Sequence, residues 1–308
     1  MELFQSDSYR AFLDATGYFD TFGFSVSRGD REVGRILGYI QQDGGPLKRF
    51  LSRRAIINGG PYLAEDISRE EVVRLLEACK QGIGHKAIYV ETRNFKDYSA
   101  YRDVFEKAGF QYEPHYDFII DTTSPEVVDA NMGKSRKRDV KASLKNGASV
   151  LDATEKEDVI SFYAVLKDLY EKKVKTPLFP LDFFLKLWEQ PFSKFILVKF
   201  GEEIVGGTVC VFDEETVYEW FACGKDGVYK NVYPSTVATY YGIQFAAENA
   251  FRRFDMMGAG APGDGGYGVR DFKSKFGGEL VEFGRFRFVA DKLLYSLGKW
   301  GVKLMKKL

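Results

Sequence analysis

Apolar and polar positions divide the chain into short strands and longer helices, in an order that occurs twice. In the first half, residues 8–17 have helical spacing, and strand-like runs follow at about 20–27, 33–41 and 47–57. The polar turns Arg28-Gly29-Asp30 and Asp43-Gly44-Gly45-Pro46 separate them, and Asn58-Gly59-Gly60-Pro61 ends the third. That pattern predicts an antiparallel meander. Ser68 with Glu71 three residues later forms a capping box ahead of a helix that buries Val72, Leu75, Leu76 and Cys79. A strand at Ala87–Glu91, a helix at Tyr98–Ala108 and one alternating strand at Phe110–Asp121 complete this half.

The second half has the same order. A helix spans Glu155–Lys172, with Val159, Phe162, Leu166 and Leu169 on one face, and a shorter one spans Leu181–Glu189. Strands at Phe195–Phe200, Ile204–Phe212 and Val217–Cys223 precede a helix from Ser235, its N-cap, to about Phe251. Then come a strand at Phe254–Met257 and another at Glu279–Val289. The repeated order predicts two structurally related domains, 1–150 and 151–290, with a C-terminal helix over 291–308.

The most unusual stretch joins those last two strands. It holds Gly258, Gly260, Gly263, Gly265, Gly266 and Gly268, then delivers Arg270, Lys273 and Lys275 before closing on Gly277-Gly278. Glycines at a strand end let backbone approach a ligand, so this loop reads either as part of a site or as a surface loop with a solvated basic turn.

Composition narrows the function classes. Of 308 residues, 45% are hydrophobic and 29% charged, as in a globular protein of two domains. Lys plus Arg (44) equals Asp plus Glu (44), so nucleic acid would need a local basic patch. The best local candidate is the helix near 134–145, where Lys134, Arg138, Lys141 and Lys145 share a face and Asp139 is the only acid. Cys79, Cys210 and Cys223 are widely spaced, which argues for a reducing compartment, and His85 and His115 are too far apart for a His-based metal site. Serine hydrolase, zincin and P-loop signatures are absent. The first residues do not form a signal peptide and no run reaches membrane-span length, so a cytoplasmic location is expected. Residues 291–308 are basic and amphipathic, suited to docking on the chain's own domain or to the inner face of a membrane.

Four stretches resemble one family. Asn58-Gly59-Gly60-Pro61 is similar to its turn after the first meander, and Lys134 to Gly147 to its basic interdomain helix. Phe254-Asp255-Met256-Met257-Gly258 is similar to its aspartate–glycine strand end, and Phe272-Lys273, Lys275 and Phe276-Gly277-Gly278 to its FK-x-x-FGG signature. The family is that of the FemABX-type aminoacyltransferases. The resemblance implies an α/β (α+β) fold of two tandem GNAT-like domains, each a mixed, mostly antiparallel sheet flanked by helices, with the C-terminal helix packed back on the first.

It also implies transfer of an aminoacyl group from aminoacyl-tRNA to an amine of a nucleotide- or lipid-linked peptidoglycan precursor, with no bound cofactor or metal. Acyl-CoA is the alternative donor, and a non-catalytic binding protein the alternative to an enzyme. Lys273 is then expected to meet the oxyanion or a donor phosphate, with Asp255 the candidate base. Arg270, Lys275, Arg136, Arg138 and Lys141 are expected to hold phosphates, Phe272 to anchor the turn, and Tyr218 and Tyr233 to line the acyl cleft. The loop before Ser235 is bulky where a CoA pyrophosphate turn has glycine, and residues 172–195 leave no room for the long helical hairpin many members carry.

Overall fold

The computed structural model describes residues 2–42, 45–264 and 268–305, and of residues 46–48 and 299–305 the backbone alone. The chain divides into two units: the residues up to His115 together with those from Glu282 onward, and Tyr116–Val281.

The first unit begins with α1 (Asp7–Thr16), capped by Ser6 and ended by Gly17 at a φ of 61°. β1 (Asp20–Arg28) and β2 (Arg31–Gln41) pair antiparallel through a tight turn at Arg28↔Arg31. Next come α2 (Pro46–Ser52), β3 (Arg54–Gly59), β4 (Tyr62–Leu63), α3 (Arg69–Ile83), β5 (Tyr89–Asn94), α4 (Arg102–Lys107) and β6 (Gln111–Glu113). The third sequence run, read above as a strand from 47, is therefore a helix first. Pro46 at its N1 position presets the helical φ, and Phe50 and Leu51 continue helical rather than alternating spacing. Part of the turn before it, Asp43-Gly44, lies outside the described residues. The capping box forms: Ser68 Oγ accepts Glu71 N–H, and Glu71 accepts Ser68 N–H at 2.8 Å.

The second unit runs β7 (Tyr116–Asp121), α5 (Pro125–Asn131), α6 (Lys134–Lys145), β8 (Ala148–Asp152), α7 (Lys156–Leu169), α8 (Leu181–Trp188), β9 (Ser193–Phe200), β10 (Glu203–Phe212) and β11 (Thr216–Gly224). Then follow α9 (Pro234–Glu248), β12 (Arg253–Asp255), α10 (Gly268–Ser274) and β13 (Glu279–Glu282). The chain returns to the first unit as β14 (Arg285–Val289) and α11 (Lys292–Met305).

Two strands read as continuous are thus each divided between the sheets. Pro114 cannot donate to a ladder, and β6 and β7 separate there. Gly284, at a φ of 66°, separates β13 from β14, and a Cβ on it would lie 2.3 Å from the Tyr112 ring. The unit boundaries fall at 115/116 and 281/282 instead of 150/151 and 290/291, because β7, α5, α6 and β8 all build the second unit.

The sheets have orders β1-β2-β3-β5-β14-β6, with β4 on β2, and β13-β7-β12-β11-β10-β9-β8. In each, a meander is followed by a helix and a strand parallel to the last of the meander: β3 with β5, and β11 with β12. The chain therefore has the expected class, two mixed, mostly antiparallel sheets flanked by helices. In the second sheet Gly206 and Gly207 admit helices to opposite faces. A Cβ on Gly206 would lie 2.9 Å from Pro234 of α9, and one on Gly207 2.9 Å from Phe162 of α7.

β14 fixes the first unit from both faces. Phe286 stacks on Phe105 of α4 with ring centroids 4.0 Å apart, within the core built on Val72, Leu75, Leu76 and Cys79 of α3. On the other face Glu91 is buried among Arg93 (3.1 Å), Arg285 (3.4 Å) and Arg287 (2.6 Å). Burial raises the Glu91 pKa, but the three guanidiniums outweigh it and hold it at about 2.

A depressed carboxyl stabilises the fold above its unfolded pKa and loses that effect as pH falls toward the folded value. Glu91→Gln is therefore expected to cost about 3–5 kcal/mol near neutral pH, the range for stripping one partner from a buried ion pair. The difference from the parent should shrink below about pH 4 in urea unfolding.

Candidate functional site: a splayed strand pair over a buried charge cluster

β11 and β12 pair only at Thr216↔Arg253, Val217↔Phe254 and Tyr218↔Asp255. β12 then ends, while β11 continues on β10 to Gly224. From Glu219 onward the edge of β11 that faced β12 has no strand partner among the described residues. A bulge sits at the divergence: Val209 opposes Phe221 and Cys210 opposes Glu219, leaving Trp220 extra. The bulge interrupts the simple alternation of faces along β11. Trp220 and Phe221 both contact the Phe183 ring of α8, at 5.5 and 6.4 Å.

The base of this opening is charged. Asp117 of β7, Glu219 of β11, Asp255 of β12 and Lys273 of α10 are all buried. Met257 and Gly258 both have left-handed backbone, with φ of 52° and 69°, which bends the chain beyond β12 sharply. The carbonyls of residues 256–258 converge on the Lys273 ammonium, which donates to Met256 O, to Met257 O at 2.6 Å and to Gly258 O at 2.9 Å. The N–H groups of the same bend go to acids: Met257 N–H to Asp255 Oδ1 (2.7 Å) and Gly258 N–H to Asp117 Oδ1 (2.8 Å). Glu219 Oε1 accepts from Thr239 Oγ1 at 2.7 Å and Thr208 Oγ1 at 3.3 Å.

Burial shifts every member toward neutrality. Asp255 is pushed well above the usual carboxylate range by burial and by the neighbouring Asp117. Burial raises Asp117 and Glu219 and lowers Lys273, whose charge is supported by Glu219, Asp117 and Asp255. Among the described residues no group of His, Cys, Asp or Glu is placed to hold a metal ion.

The structure brings some of the expected site residues together and assigns others different work. Lys273 and Asp255 share the cluster, but an ammonium has three protons and carbonyls take all three, so none is left for an oxyanion. Lys273 instead fixes the loop. Arg270 does likewise, donating to Ala259 O at 2.9 Å and Ala261 O at 2.6 Å rather than presenting an open fork. Phe272 does anchor its turn, 5.1 Å from buried Phe276, with Arg136 stacked over it at 4.5 Å. Arg136 reaches Thr236 in the first turn of α9 (3.3 Å) and Asp139 (3.3 Å). Lys275 is exposed and pairs with Asp271 at 2.6 Å, while Arg138 and Lys141 are exposed on α6, away from the cluster. Tyr218 donates to Asp213 in the β10–β11 turn (3.3 Å) and pairs with Asp255 where the two strands diverge. Gly265 and Gly266 lie outside the described residues.

Tyr233, not Ser235, is the N-cap residue of α9. The helix start is internally satisfied: Tyr233 N–H goes to Ser143 Oγ (2.9 Å) and Ser235 N–H to the Asp226 carboxylate (3.2 Å). Beside it a cavity of about 760 Å³ opens at the end of β11, lined by Ala164, Asp168, Lys172, Ile204, Gly224 and Asp226 among others. Asp117 and Glu219 were missed in the sequence. The available signal was an acid inside an otherwise apolar strand, Asp117 before Phe118-Ile119-Ile120 and Glu219 beside Trp220-Phe221, an arrangement tolerated only with partners.

A family model, described as the FemAB family, matches residues 189–301. The crystal structure of FemX is similar with a TM-score of 0.73 at 14% identity, covering 96% of this chain and 94% of that one. The structure of L-PGS from Bacillus licheniformis has a TM-score of 0.61 at 15% identity, covering 94% of this chain and 95% of that one. A tandem GNAT protein from the clavulanic acid biosynthesis pathway has a TM-score of 0.52 at 10% identity, covering 89% and 84%. No curated protein matches the sequence. At these identities the likeness to solved structures is one of fold. The chain has the FemABX-type fold, and the match to the FemAB family model over residues 189–301 supports a transferase.

The buried acids make stability depend on pH. A carboxyl with a raised folded pKa stabilises the fold fully below its unfolded value, and that contribution is lost as pH rises through the folded value. Glu219→Gln keeps an oxygen for Thr208 and Thr239 but cannot ionise. Its stability relative to the parent is expected to rise as pH increases above the ordinary carboxyl value of about 4.3, as measured by urea unfolding over a series of pH values. A constant difference would show that Glu219 does not titrate there.

Proposed function

We propose that this chain is an aminoacyltransferase of the FemABX kind that joins an aminoacyl group, activated as the ester of a tRNA, to an amine of a peptidoglycan precursor. The observation that carries the reading is the unpaired edge of β11 beyond Tyr218, held open over a buried cluster at the base of a glycine-rich loop. An extended acyl donor lying there would exchange backbone hydrogen bonds with β11 in place of a strand. The amine nitrogen attacks the ester carbonyl carbon, the carbon–oxygen bond to the ribose breaks, and the departing oxygen takes up the proton the amine gives up. The step balances without a covalent enzyme intermediate, so the chain needs placement and charge stabilisation more than a nucleophile. Lys273 and Arg270 act as positioning residues that keep the loop wall fixed.

The occupied first turn of α9 disfavours acyl-CoA as donor. A pyrophosphate at that helix start would have to displace the Asp226 carboxylate from Ser235 N–H. The phosphate contacts we propose for Arg138 and Lys141 come from the outer face of α6, where Lys134, Arg138, Lys141 and Lys145 are all exposed, whereas Arg136 is turned inward onto Thr236 and Phe272. No helix among the described residues is long and apolar enough to cross a membrane. The location we propose is the cytoplasm, with a lipid-linked precursor met at the inner membrane face.

Incubation with a labelled aminoacyl-tRNA pool and either a nucleotide-linked or a lipid-linked precursor is expected to move label to the precursor. Lys273→Ala should lower the rate about a hundredfold or more, the scale of a misplaced reacting geometry. Transfer at the parental rate would remove the positioning role. Calorimetric titration with acetyl-CoA is expected to show no sub-millimolar binding. Binding there together with transfer from acyl-CoA would replace the tRNA donor, and tight precursor binding without transfer from either donor would make the chain a binding protein.

A further inference from the structure

α11 has two different sides. One is bound to the first unit: Tyr295 accepts a hydrogen bond from Arg287 at 2.8 Å and meets the Tyr89 ring edge-on at 5.6 Å. The other carries Leu293 and Leu297, one helical turn apart and 72% and 51% exposed. Beside it lies α2, whose Leu51 carbonyl would be 3.9 Å from a Cβ on Gly298. α2 adds Phe50 and Leu51, 49% and 38% exposed, so large apolar side chains from two neighbouring helices stand in water on one unit.

The two helices themselves carry charge of one sign, with Asp291 just ahead of α11. The Arg53 guanidinium lies 4.4 Å over the Phe50 ring, and α2 itself holds Lys48 and Arg49 but no acid. From Lys292 onward the sequence has Lys292, Lys299, Lys303, Lys306 and Lys307, again with no acid. A neutral protein groove would satisfy the leucines and leave the cations unanswered. An anionic bilayer answers both, taking apolar side chains below its headgroups and cations among its phosphates.

We propose that the paired α2–α11 face is a docking surface for an anionic lipid bilayer, against which this part of the first unit lies without spanning it. The inference rests on exposure and charge in the first unit and does not depend on the transferase reading. It would place the chain at the surface where a lipid-linked acceptor is held.

The test is co-sedimentation of the full chain with vesicles of phosphatidylcholine alone or of phosphatidylcholine with about one third phosphatidylglycerol. Binding is expected to the anionic vesicles, several-fold stronger than to the neutral ones and weakened by added salt. The double variant Leu293→Glu, Leu297→Glu alters only exposed positions, so its thermal unfolding should match the parent while its vesicle binding falls about tenfold or more. Arg53→Glu should weaken binding to anionic vesicles alone. Equal binding by parent and double variant, or no preference for phosphatidylglycerol, would overturn the proposal. So would a parent that ignores vesicles and is a dimer by sedimentation velocity, with the double variant monomeric.

Discussion

An ammonium out of water is stable only where oxygen surrounds it, and the Lys273 side chain meets that condition by gathering three consecutive carbonyls. The residues whose carbonyls face the cation give two of their N–H groups to Asp255 and Asp117. The bend is thus gripped from both polar sides of its backbone, and Arg270 extends the grip to Ala259 and Ala261. A segment fixed in this way cannot continue β12 along β11. The open strand edge is therefore a consequence of the buried charge as much as of the bulge at Trp220.

The two units solve the cost of buried charge with opposite signs. In the second, one cation sits among three carboxyls that burial drives toward their neutral forms. In the first, one carboxylate sits among three guanidiniums and stays ionised far below neutral pH. The difference follows from the groups. Carboxyls take up a proton at modest cost, whereas guanidinium keeps its own, so the first cluster is a permanent tie across β5 and β14 and the second responds to its surroundings.

Much of the architecture was legible because periodicity reports local burial. The meanders, the capping box at Ser68, the helices from Glu155 and Ser235 and the doubled order were all readable, and the FK-x-x-FGG signature led to the turn that holds Lys273. Periodicity says nothing about which sheet a strand joins. The runs across Pro114 and Gly284 alternate correctly on both sides of a change of sheet, and so hid the true unit boundaries. Leu47, Phe50 and Leu51 are at helical spacing behind Pro46, but the run is so short and so close to the strand after it that the two read as one element. The chemistry of the site was less legible still. Lys273 was singled out, but its carbonyl partners depend on left-handed backbone at Met257, a residue type that rarely adopts it. Its acidic neighbours come from strands far apart in the chain.

The placement of β14 between β5 and β6 has a consequence for biosynthesis. On the ribosome, β5 and β6 emerge long before their shared neighbour, and the whole second unit is made in the interval. That unit is one uninterrupted segment and has everything it needs to close first. Until Val289 is out, the nascent first unit shows two bare strand edges and a Glu91 without Arg285 and Arg287. The order of synthesis therefore makes the N-terminal part of this protein the last to mature, and the part most in need of protection from premature pairing while it waits.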